Sequence, residues 1–125
     1  LTDRGGMIFA DNGGGSFHGA FMNLARRLMP QNPIVEIPFD DEIFQAPYAL
    51  PGAPPLWHHS GYRALGVRHQ GRWVIFYHQG DIGDAWKDGH SGAPQSAWEA
   101  AFEMGVNVMD YAGRYHYKIH NPETK

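Results

Sequence analysis

His78, Asp81, Asp84, Trp86 and His90 fall within thirteen residues, the last four of them in the glycine-rich polar stretch from Gly80 to Gly92. Carboxylates and imidazoles at that density suit three kinds of chemistry. They can ligate a divalent metal, act as an acid and base pair, or hold a sugar against the tryptophan face. The structural alternative carries at least equal weight: Asp81 and Asp84 bond to backbone amides in successive turns, and Trp86 plugs the end of a sheet.

A second candidate is the run Asp11, Asn12, Gly13, Gly14, Gly15, Ser16. Two polar side chains end an apolar segment there, and three glycines then let a ligand or a neighbouring chain approach the backbone amides. The run lacks the spaced glycines of a dinucleotide site and the Lys-Ser or Lys-Thr pair of a phosphate loop, so a nucleotide is disfavoured. A tight turn for close helix-to-sheet packing is the plainer reading. Ser16 and His18 form a conceivable nucleophile and base, yet a serine at a helix start is ordinarily a cap. Of the remaining histidines, His58, His59, His69, His116 and His120, only the last two have the i, i+4 spacing of a helical metal site. They fall in a polar tail whose solvation or contact with a partner is the simpler expectation. No metal and no cofactor is assigned from the sequence.

The elements that must position these residues follow from periodicity. Met7 to Ala10 is a short apolar run, read as a strand buried on both faces with Asp11 and Asn12 at its carboxyl end. Phe17, Ala20, Phe21, Leu24, Ala25, Leu28 and Met29 recur on one helical face, with His18, Asn23, Arg26 and Arg27 mostly opposite and Pro30 as the stop. Ile34 to Ile37 reads as a second strand, and Asp40 to Phe44 as a single helical turn that tucks Ile43 and Phe44 inward. Ala46 to Pro55, with four of the nine prolines, reads as an irregular surface loop.

Tyr62 to His69 and Arg72 to His78 form a β-hairpin about Gln70-Gly71, its second strand apolar enough to be central. The last helix is expected from about Gln95 to about Ala112, capped by Ser96 with Glu99 and burying Trp98, Ala101, Phe102, Gly105, Val106, Met109 and Ala112. Leu1 to Arg4 with Gly5-Gly6 resembles a last helical turn and its glycine cap, so the domain is expected to begin outside this chain. Residues 1–113 are read as the carboxyl-terminal part of one α/β domain and residues 114–125 as a loose polar tail.

Composition bounds the function. In 125 residues, 42% hydrophobic and 14% aromatic content supports a packed core. A net charge of -3 with scattered Lys and Arg is unlike the basic footprint of a nucleic-acid binder. No apolar run approaches the roughly 18 residues of a membrane span. With no cysteine, disulfides, thiolate nucleophiles and cysteine-ligated metals are all absent from this chain.

Several short motifs in order resemble a known family. Gly5 to Asp11, the glycine turn with Phe17, Asp41-Glu42-Ile43-Phe44, Gly71-Arg72, Gly80-Asp81-Ile82-Gly83-Asp84-Ala85-Trp86, and Met104-Gly105-Val106-Asn107 resemble the bacterial family called domain of unknown function 4159. The resemblance runs from Gly5 to about Ala112. It implies a flavodoxin-like, three-layer α/β domain akin to class I glutamine amidotransferases, with a β-hairpin, a C-terminal helix and earlier strands preceding Leu1. It also implies a setting outside the cytoplasm, in the periplasm or a larger envelope protein. Where the family often has paired aspartates this chain has Asp11-Asn12, and Asp41-Glu42 stands where His-Pro is frequent.

Glutamine amidotransfer requires a thiolate, which this chain cannot supply. The expectation is therefore a non-catalytic binding or interaction module in a bacterial envelope protein or complex. A protein partner, or earlier strands of the same domain, would cover an open sheet edge and an uncovered face. The rival is a hydrolase or carbohydrate-binding enzyme using Asp81, Asp84, His78 and His90 with Asp11.

Overall fold

A computed structural model of the chain describes residues 5–12, 16–51, 63–80 and 95–121, without the side chains of residues 97 and 98. Among these residues the elements run β1 (Ile8–Asp11), α1 (Phe17–Leu28), β2 (Ile34–Glu36), a 3-10 turn (Glu42–Phe44), β3 (Ala64–His69), β4 (Arg72–His78) and α2 (Gln95–His120). The strands form one mixed sheet in the order β1-β4-β3-β2. β1 runs parallel to β4, while β4 with β3 and β3 with β2 are antiparallel. The α/β class expected from the sequence is the class observed.

The hairpin forms where the sequence places it. Gln70 and Gly71 both take positive φ, 51° and 81°, the turn whose twist matches that of the flanking strands. β4 is central and all seven of its residues are buried. A bulge explains how a strand can be buried without simple alternation. Val67 pairs with Ile75 and Arg68 with Trp73, so Val74 is an extra residue. Trp73 and Phe76 then join one core, with Ile37, Ile43, Phe44, Met104, Val108 and Tyr111. Val74, Ile75 and Tyr77 join the other, with Phe21, Ala25 and Met29. Each face of the sheet thus carries a helix, which corrects the expectation of an uncovered face.

Gly66 on β3 is a close-packing position. A Cβ there would stand 2.7 Å from Trp73 Cε3, 2.9 Å from Ile37 Cδ1 and 2.9 Å from the Ile75 carbonyl oxygen. β1 differs from expectation because it stands at one end of the described strand order. Its residues are only half-buried apart from Ala10.

Both helices bury a narrower or different stripe than their apolar residues suggest. On α1, Phe21 and Ala25 are buried, followed by Met29 past its end, whereas Phe17, Leu24 and Leu28 are 39%, 40% and 46% exposed. Ser16 occupies the cap position but its side chain makes no capping bond. On α2, Ala101, Met104, Val108 and Tyr111 face the sheet, and Phe102 and Met109 point outward at 58% and 72% exposure. Ser96 is not a cap: the helix already includes Gln95, whose Nε2 donates to Glu99 Oε1 at 2.8 Å.

The orientation of α2 is set by polar anchors. The Asn107 side-chain amide donates to the carbonyls of Ile43 (3.1 Å) and Tyr48 (2.8 Å), and its oxygen accepts the Tyr48 N–H at 3.0 Å. Asn107 is fully buried, so the loop from Ile43 to Tyr48 is fastened to the helix without an unpaired group on this amide. One turn on, the Trp73 N–H at the bulge donates to the Tyr111 hydroxyl at 2.8 Å. The 3-10 turn forms as expected, with Asp41 Oδ1 accepting from the Ile43 N–H at 3.0 Å and both Ile43 and Phe44 fully buried.

α2 also continues past Ala112 to His120, so residues 114–120 are helical rather than loose. Gly113 costs a helix interior about 1 kcal/mol. Side-chain pairs offset that cost: Arg114 with Asp110 at 2.7 Å, the Tyr111 and Tyr115 rings at 4.5 Å, Tyr115 donating to Glu42, and Lys118 over the Tyr115 ring at 4.7 Å. No described helix is long and apolar enough to cross a membrane.

Replacing Asn107 by the similarly sized Leu leaves the buried Ile43 carbonyl and the part-buried Tyr48 N–H and carbonyl without this partner. Urea unfolding of Asn107→Leu is expected to show a loss of about 2–4 kcal/mol. A loss under about 1 kcal/mol would show that this clamp does not hold the loop.

Candidate functional site

The parallel pairing of β1 with β4 brings Asp11 and His78, the described ends of the two sequence candidates, to one end of the sheet. Asp11 and His78 are register partners, so β1 and β4 end side by side. In open α/β sheets the carboxyl ends of parallel strands are where ligands bind. Gly13, Gly14, Gly15, Asp81, Asp84, Trp86 and His90 lie outside the described residues. Among the described residues no group of three or more His, Cys, Asp or Glu is placed to hold a metal.

What is described at this end is a buried polar floor. His78 is fully buried, and its Nδ1 accepts the Gly80 N–H at 3.0 Å, which fixes the ring proton on Nε2 when the imidazole is neutral. Asn12, 5% exposed, donates its backbone N–H to the His78 carbonyl and its side-chain amide to the Gln79 carbonyl, both at 3.0 Å. Gln79 donates its N–H to the Arg63 carbonyl at 3.2 Å, and its Oε1 accepts from Arg63 Nε at 3.2 Å. These groups tie the first residues of each loop to the neighbouring strand. The sequence offered His78 as an acid or base and Asn12 as a ligand contact; the geometry gives both a backbone-holding part.

The sequence placed His18 away from the core, and here it is corrected. His18 Nδ1 lies 2.8 Å from the Tyr77 hydroxyl, and the two rings are 5.5 Å apart. Phe21 packs at 4.8 Å and Phe17 at 6.1 Å from the same tyrosine ring. Burial, helped by the Asp11 charge, pushes the Tyr77 phenol up to about 12. Tyr77 is therefore a neutral hydroxyl that can donate to the imidazole beside a carboxylate, a polar contact linking α1 to β4 near the carboxyl end of β1. Its only sequence signal was a tyrosine inside an otherwise apolar strand, whose hydroxyl needs a partner when buried.

The folded chain keeps the Tyr77 proton over a range where the unfolded chain has lost it. This contribution to stability is complete below pH 10 and is lost as pH climbs from 10 to about 12. Unfolding free energy measured by urea across that range is expected to fall less steeply for Tyr77→Phe than for the unmodified chain. Parallel curves would show that this phenol is not shifted.

Among curated proteins none matches the chain. One family model, described as a domain of unknown function, DUF4159, matches residues 2–112. That span takes in β1 through most of α2, the His78 floor and the Asn107 clamp, so the chain belongs to the DUF4159 family.

Proposed function

We propose that this chain is a non-catalytic binding or interaction module of flavodoxin-like, glutamine-amidotransferase-like fold, working in the periplasm or elsewhere in the bacterial envelope as part of a larger protein or complex. The observation that carries the reading is the outward side of α2. Phe102, Val106 and Met109 follow one another at i, i+4 and i+7, and the first and last are 58% and 72% exposed. Large apolar side chains aligned on an exposed helix side are the pattern of a helix that meets another protein surface. The buried floor of His78, Asn12 and Gln79 agrees with a scaffold whose polar groups hold backbone. The turn Asp11 to Ser16 and Trp86 provide its ligand contacts, and the partner is a protein or further strands of the same domain. Nucleic acid is not expected as a partner, given the net charge of -3.

The rival, a hydrolase or carbohydrate-binding enzyme using Asp81, Asp84, His78 and His90 with Asp11, draws on the adjacency of Asp11 and His78 at the ends of β1 and β4. Affinity capture from an envelope extract separates the readings. Cross-linked partners retained by the unmodified chain are expected to be lost with Phe102→Asp/Met109→Asp while the melting temperature stays unchanged, and chromogenic ester and glycoside substrates should show no turnover above background. Turnover that Asp81→Asn/Asp84→Asn abolishes would overturn the module reading in favour of the enzyme. Partner retention equal in the helix variant would also overturn it.

A further inference from the structure

The last two turns of α2 carry His116 and His120 one helical turn apart. Their rings lie 4.3 Å centroid to centroid, tilted by 44°, and both residues are exposed. We propose that this pair is a two-imidazole binding site for a borderline divalent cation of the Zn2+, Ni2+ or Cu2+ type. Imidazole nitrogens suit these ions and not Mg2+ or Ca2+, which take oxygen. An i, i+4 spacing on a helix puts two side chains on one face, so a single ion can reach both.

The helix that presents them is already held by the Arg114 pair with Asp110, the Tyr111 and Tyr115 ring contact and the Lys118 contact with Tyr115. Both ligands thus start from a formed backbone, and less conformational entropy is lost on binding. Among the described residues no group of three or more His, Cys, Asp or Glu is placed to hold a metal, so the proposed site rests on these two imidazoles.

The bound ion spans residues 116 and 120 and so clips the end of α2. That end packs over Gly5, where an added Cβ would lie 3.3 Å from His116 Cα and 3.2 Å from Ile119 Cδ1. Holding the last turn therefore also holds the backbone that leads into β1. The site is independent of the interaction reading above, since it uses neither Phe102 nor Met109.

Thermal unfolding of the full chain followed by circular dichroism, with and without Ni2+, tests it. A saturable rise in melting temperature is expected for the unmodified chain and for His69→Ala, and no rise for His116→Ala or His120→Ala. Equilibrium dialysis against Ni2+ gives a second readout that does not depend on unfolding, with bound metal several-fold lower in each of the two helix variants. No rise in the unmodified chain, or metal retained equally by either helix variant, would overturn the site.

Discussion

The two-way bond between the Asn107 amide and the Tyr48 backbone, with the third bond to the Ile43 carbonyl, decides which side of α2 meets the sheet. A buried amide left without partners costs about 1–3 kcal/mol for each lost bond, so α2 cannot roll to bury its other apolar side without losing these contacts. Tyr111 reinforces the choice by satisfying the N–H that the bulge at Val74 leaves beside Trp73. Once α2 is set this way, Met104 and Val108 fill the core and Phe102 and Met109 are left outside. The segment from Pro38 to Leu50, which has little regular structure, is held by the same anchors together with the buried Ile43 and Phe44.

That constraint also explains what could be read from residue order alone. The β-hairpin was legible because Gln70-Gly71 is a two-residue turn between apolar runs, and local chemistry settles such turns. The 3-10 turn was legible because Asp41 can cap it and two large apolar residues follow. The face of α2 was not legible, because apolar residues ring most of that helix and the deciding groups, Asn107 and Tyr111, read as polar interruptions rather than as anchors. The extension to His120 was missed for a related reason. Gly113 looks like a stop, while the contacts that outweigh it reach Glu42 and Gly5, far away in sequence.

At the candidate site, the nearness of Asp11 to His78 followed from treating both preceding segments as strands that end at one edge. The parallel register of β1 and β4 is what makes these two strand ends adjacent. The individual roles were less legible. His78 lies in a fully buried strand, where an imidazole must find a partner for each nitrogen, and Nδ1 takes the Gly80 N–H. The Tyr77 and His18 contact depends on the roll of α1 about its axis, which seven apolar positions spread around much of the helix leave undetermined. Among the described residues at this end, His78 Nδ1, the Asn12 amide and the Gln79 N–H all bond to backbone groups.

The orientation of α2 can be read directly from methionine reactivity, since oxidation to the sulfoxide follows exposure. Met109 is 72% exposed and Met104 fully buried on the same helix. Dilute peroxide treatment of the folded chain followed by peptide mass spectrometry should oxidise Met109 many times faster than Met104. Equal rates, or faster oxidation of Met104, would mean that α2 lies against the sheet by its other side and would remove the surface on which the account rests.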